Sequence, residues 1–205
     1  MSSFMKSAWN KVFMVLRFVF PIISCKHGNN ILDKKIKSIK HHEIHLTYMT
    51  EWDTLTIEEA EGFFNSSVEQ KRILESKAQI TIVGLTIAVS LIIGLGSSLL
   101  GNKALSHSPL QLWVIVFGII SLVYFIMAGC MSFEVLVERN QVYQLFPKEM
   151  RSPDKEKLEK ISFNTELNVN LNIIRYNYVY CAYRSILYAV ISLGIMFILS
   201  AIGVL

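Results

Sequence analysis

The chain has 205 residues, 52% of them hydrophobic, with 20 Lys and Arg against 16 Asp and Glu. A formal net charge of +4 does not point to nucleic-acid binding, and a mean hydropathy of +0.42 excludes an ordinary water-soluble domain. The three cysteines show no paired spacing, which fits a reducing compartment and no structural disulfide.

In chain order, residues 4–20 read as an amphipathic helix. Met5, Trp9, Val12, Phe13, Leu16 and Phe20 share one face, while Lys6, Asn10 and Arg17 fall largely elsewhere. Such a helix lies in a membrane interface, with Trp9 as an anchor, or packs on protein. Arg17 and Pro21 interrupt the apolar run, which argues against a cleaved signal peptide. His27-Gly28-Asn29-Asn30 predicts a turn, and Ile44, Leu46 and Tyr48 alternate as in a short strand. Thr56 and Glu59 form a capping box that starts a helix, with Asn65-Ser66-Ser67 as a possible break.

From Val68 the helical pattern runs into the first of three stretches without a charged side chain: Ala78–Asn102, Leu110–Phe133 and Ser185–Leu205. About 20 apolar residues cross a hydrocarbon core, and a helix satisfies its own backbone there. The fold class expected is therefore an all-α membrane protein. Three transmembrane helices (78–100, 110–133 and 185–205) carry cytoplasmic helical extensions, after a small amphipathic or mixed amino-terminal region. The second helix is expected to continue to Pro147. Leu167, Leu171, Ile174, Tyr178 and Cys181 form a heptad-like seam leading into the third. The chain divides into an amino-terminal region (1–56), two spans with their extensions (57–146), and a linker, helix and third span (147–205).

Eleven Lys and Arg lie in residues 1–77 and eight in 134–184, leaving only Lys103 between the first two spans. The positive-inside rule then places the amino terminus in the cytoplasm, the carboxyl terminus outside, and the protein in the cell's inner membrane. Arg72, Lys77 and Lys103 would serve as interfacial anchors.

Little catalytic chemistry is visible. His41-His42-Glu43-Ile44-His45 misses the His-Glu-x-x-His spacing by one residue, and a solvated face accounts for it better than a metal. Asn164, Asn168, Asn170, Asn172 and Asn177 read as solvated surface, with polar helix contacts as the alternative. No nucleotide loop or catalytic triad is recognisable, so neither an enzyme nor a cofactor is expected. The spans hold no Asp, Glu, Lys, Arg or His, the usual residues of an ion-coupled site, which disfavours a transporter. Ser90, Gly94 and Ser98 form a small-residue ladder in the first span, Ala128 and Ser132 recur in the second, and Ser185 and Ala189 begin the third. Such spacing permits close helix approach, within one chain or between copies.

The run Glu69-Gln70-Lys71-Arg72-Ile73-Leu74-Glu75-Ser76-Lys77-Ala78 enters a span, an external hairpin follows, and the second span leaves into Glu134–Asn140. Over residues 68–140 this layout resembles the small transmembrane effectors of bacterial anti-phage systems, those encoded beside retron reverse transcriptases or cyclic-oligonucleotide synthases. The third span departs from two-span members. The resemblance implies a protein held inactive until infection, which then disrupts or depolarises the inner membrane and causes abortive infection. Its implied partners are the bilayer, copies of itself, and a reverse transcriptase with its RNA–DNA product or a cyclic-oligonucleotide signal; direct nucleic-acid binding is not expected. The rival expectation is a non-toxic membrane anchor or assembly subunit that recruits a cytoplasmic enzyme.

Overall fold

The computed structural model describes residues 20–41, 54–100, 109–137, 141–147 and 151–204. Among them are four helices and no strand: α1 (Pro21–His41), α2 (Ile57–Leu100), α3 (Gln111–Leu136) and α4 (Asp154–Val204). The expected fold class holds, since α2, α3 and α4 are each long and apolar enough to cross a membrane. Of the amphipathic stretch 4–20 only Phe20 is described, and the 44–48 strand and His42–His45 lie outside the described residues.

Helix α1 replaces the turn expected at His27–Asn30. Pro21 occupies its first turn, where a missing N–H and a fixed φ suit helix initiation. Asn29 is turned inward, donating to Cys25 Sγ at 3.4 Å and accepting from Asn177 Nδ2 at 2.8 Å. This tertiary contact outweighs the turn preference of Gly28 and its two asparagines. A Cβ at Gly28 would meet nothing within 4 Å. Gly28→Ala should therefore stabilise the protein by about 0.5–1 kcal/mol, read as a higher melting temperature in detergent.

Helix α2 starts at the expected capping box. Thr56 N–H donates to Glu59 Oε2 at 2.9 Å, and Glu59 N–H donates to Thr56 Oγ1 at 3.3 Å. The Thr56 backbone N–H and hydroxyl hold the Glu59 carboxyl below its usual range. Because the folded carboxyl is the more acidic, this stabilisation is full above the unfolded range and is lost as pH falls through the folded value. Amide-exchange protection of the first turn should accordingly drop on acidification, and Glu59→Gln should flatten that dependence. Asn65-Ser66-Ser67 does not break the helix; Ser67 Oγ turns back to the Phe64 carbonyl at 2.7 Å.

At 44 and 51 residues, α2 and α4 are about 65 and 75 Å long, more than twice a hydrocarbon core of about 30 Å. The surplus forms a bundle below the membrane. α3 behaves differently. It ends at Leu136, with Val137 N–H donating to Phe133 O at 2.9 Å, and residues 141–146 are non-helical. The expected continuation to Pro147 is corrected: the chain instead folds back along α4.

Helix α4 is the shared element, packing on α1, α2 and α3. One apolar core runs from Cys25, Ile36 and Ile39 of α1 through Leu74, Ala78 and Leu85 of α2 to Phe125, Ala128 and Met131 of α3. Its spine on α4 is Leu167, Leu171, Ile174, Tyr178 and Cys181, all buried, as the heptad-like spacing predicts.

Candidate functional site

Below the membrane, α4 presents polar side chains to the interior of the bundle. Asn164, Asn168, Asn170 and Asn172 are buried, and Asn177 is half-buried, so the solvated surface expected for them is corrected. Asn168 clamps the backbone of Tyr143 from both sides, accepting from its N–H at 2.9 Å and donating to its carbonyl at 3.0 Å. Asn164 donates to the Gln144 carbonyl at 3.4 Å. Asn172 reaches the opposite way, donating to the Ser67 carbonyl of α2 at 2.7 Å. Asn177 completes the series on α1 through Asn29.

Each contact satisfies a polar group that would otherwise be costly to bury. The series ties α1, α2 and the 141–147 segment to one helix. At its centre Arg175 is fully buried. Its guanidinium donates to Asn172 Oδ1 at 2.5 Å and to the carbonyl of Gln141. A planar, permanently charged donor suits such a place better than lysine, because it reaches two acceptors at once.

The attachment of α1 to α4 has further parts. Cys25 and Cys181 are buried in the same core, where their interaction pushes the Cys25 thiol up and holds that of Cys181 down. Lys35 pairs with Glu166 at 3.6 Å, and Lys40 lies over the Tyr143 ring at 4.9 Å. At the foot of the bundle Lys157 of α4 meets Glu61 of α2 at 2.7 Å.

Within the membrane-spanning part, hydroxyls and small residues join α3 to α4. Ser121 Oγ donates to the Ala189 carbonyl at 2.9 Å, and Ser192 Oγ to the Phe117 carbonyl at 2.8 Å. Ala128, Ser132, Ser185 and Ala189 are essentially inaccessible. The small-residue spacing of the second and third spans thus serves close packing inside one chain.

The first span is different. Ser90 and Gly94 are exposed, Ser90 Oγ bonds back to Thr86 O at 2.8 Å, and a Cβ at Gly94 would meet nothing within 4 Å. Neither is among the buried residues of α2. The buried line of α2 is instead Leu74, Ala78, Thr81, Leu85 and Ile92. Ser98 has no described side-chain placement, and Trp9 and Lys103 lie outside the described residues. Arg72 and Lys77 are exposed on α2 below Ala78, and Arg72 pairs with Glu69 at 3.5 Å.

Ser90 also lines a groove of about 760 Å³ between α2 and α3, whose walls include Leu85, Val89, Phe125 and Phe133, with Glu134 among its polar lining. Among the described residues no three His, Cys, Asp or Glu side chains are placed to hold a metal. Comparison with family models, with curated proteins and with solved structures gave no match. The functional reading therefore rests on the physical arrangement.

Proposed function

We propose that this protein is a membrane effector of antiviral defence, which disrupts or depolarises the inner membrane of a bacterial cell on phage infection and so causes abortive infection. One observation carries the reading. Spans with no charged side chain continue, in α2 and α4, as unbroken helices into a charged bundle held together by buried polar contacts. A membrane part without Asp, Glu, Lys, Arg or His lacks the usual groups of an ion-coupled transport pathway, whereas a rigid helix transmits a movement at its foot to its membrane end. The bundle would hold the resting state, and a trigger would act by binding the rearranged state better.

The charge distribution supports an inner-membrane orientation with the bundle in the cytoplasm. There it would meet a reverse transcriptase bearing an RNA–DNA product, or a cyclic-oligonucleotide signal. The layout of residues 68–140 favours this class of protein over a passive anchor. Cells carrying the gene with its neighbours should lose membrane potential and viability soon after phage challenge, followed with a potential-sensitive dye and colony counts. An intact potential throughout infection, together with a stable complex with a cytoplasmic enzyme, would assign the protein to the anchor class instead.

A further inference from the structure

Between residues 161 and 190 of α4, the exposed positions are Val169, Ile173, Tyr176, Tyr180, Tyr183, Leu187 and Val190, and no others. Their spacings are 4, 3, 4, 3, 4 and 3, a strict heptad repeat over three turns of the pattern. This stripe is separate from the buried Leu167–Cys181 seam. Helix α4 therefore has two heptad faces, and among the described residues only the inner one is covered.

The lower part of the stripe lies at a depth where lipid does not cover it. Asn172 is bonded to the Ser67 carbonyl, and α2 and α4 rise in the same direction by about 1.5 Å per residue. Val169 and Ile173 are thus no deeper than Lys77, by this contact and by the Lys157–Glu61 pair alike, and Tyr176 sits at the boundary above them. A water-facing helix surface at this level ordinarily carries charge, as α4 itself does at Lys155, Glu156 and Lys160. Here Val169 is 40% and Ile173 42% exposed, and above them the rings of Tyr176 and Tyr180 stack at 6.3 Å.

We propose that this stripe pairs with the same stripe of a second copy, forming a parallel two-helix seam about an axis normal to the membrane. A 3.5-residue repeat is satisfied by another long helix supercoiling alongside, rather than by a globular partner. The stripe passes from the charged bundle into the span, so its occupant must cross that boundary at the same depth. A second α4, inserted in the same direction, does so residue for residue.

The residues flanking the stripe, Asn170, Asn172, Asn177 and Val179, carry no charge, so a two-fold axis brings no like charges together there. The next flanking residue, Arg184, is turned to the Tyr188 hydroxyl at 2.8 Å. Seven side chains, each about half exposed, would bury roughly 700 Å² per copy, close to the ~800 Å² per partner of a standard stable interface. The pairing is independent of the defence reading, and its test uses no toxicity readout.

Photocrosslinking of the full-length chain in native membranes tests it, with p-benzoylphenylalanine in place of Tyr176, Tyr180 or Tyr183, and in place of the exposed Ser76 as control, which lies half a turn around α2 from the Ser67 that meets α4. The expected product is a species of twice the 23.4 kDa monomer from the three stripe positions, at least tenfold weaker from Ser76. Tyr176→Lys should reduce the crosslink from position 180 at least tenfold, and co-expression with Tyr176→Glu copies should restore it, which a folding defect would not allow. Lipid adducts alone, a partner of another mass, equal crosslinking from Ser76, or no rescue by the opposite charge would each overturn the pairing.

Discussion

Arg175→Ala is expected to destabilise the bundle by about 3–5 kcal/mol and to release the 141–147 segment without removing the protein from the membrane. The side chain is fully buried, and truncation leaves the Asn172 amide and the Gln141 carbonyl without the donors they now share. A buried polar group stripped of its partner costs about 1–3 kcal/mol, and the emptied volume adds to this. Arg175→Met restores the volume but not the donors, so it should recover part of the loss. Arg175→Lys keeps the charge but cannot reach both acceptors in one plane, and should fall between methionine and arginine. Chymotrypsin cleavage at Tyr143 or Leu145 in permeabilised vesicles reads the release directly. Membrane extraction with carbonate should be unchanged, since the spans do not depend on this residue. Protection of 141–147 equal to that of the unsubstituted protein in Arg175→Ala would show that Arg175 does not anchor the segment.

The position of Arg175 illustrates what the sequence made legible. Span existence is a one-dimensional property, written in uncharged runs of sufficient length, and all three runs became helices. The inner seam Leu167–Cys181 was legible for a similar reason, because periodicity survives without knowledge of the partner. Which of two faces meets which neighbour is not written that way. Ser90 and Gly94 have the same spacing as Ser185 and Ala189, yet one pair is exposed and the other is packed. The asparagines failed differently. A polar residue reads as surface unless its acceptor is known, and the acceptors of Asn164, Asn168 and Asn172 are backbone carbonyls 20 to 105 residues away in sequence. The same holds for Asn29, whose partner is 148 residues distant and whose neighbours Gly28 and Asn30 spell a turn. A usable signal was present nonetheless: five asparagines between 164 and 177 make a poor exposed helix by propensity, so their retention in one argued for specific polar contacts.

The second large effect separates the two kinds of small residue. Ala128→Leu places a branched side chain where the alanine is completely enclosed, in the same core as Ala189 of α4. The helices must part or the leucine must adopt a strained rotamer, at a cost of about 3 kcal/mol in a core without slack. Separation would also weaken the Ser121–Ala189 and Ser192–Phe117 hydrogen bonds, each worth about 0.6 kcal/mol between membrane helices. A lowered melting temperature in detergent and loss of a disulfide engineered between α3 and α4 would register the change. Gly94→Leu should behave oppositely. A Cβ there meets nothing within 4 Å and the position is exposed, so the isolated chain should melt as before or slightly higher, glycine being the poorer helix former. Any effect of Gly94→Leu on activity in cells, with the melt unchanged, would then report contact between copies rather than folding. If both substitutions leave activity intact while Ala128→Leu lowers the melting temperature, Gly94 has no part in assembly and the outer stripe of α4 is left to carry it. The comparison thus distinguishes the packing that builds one chain from the packing that joins several.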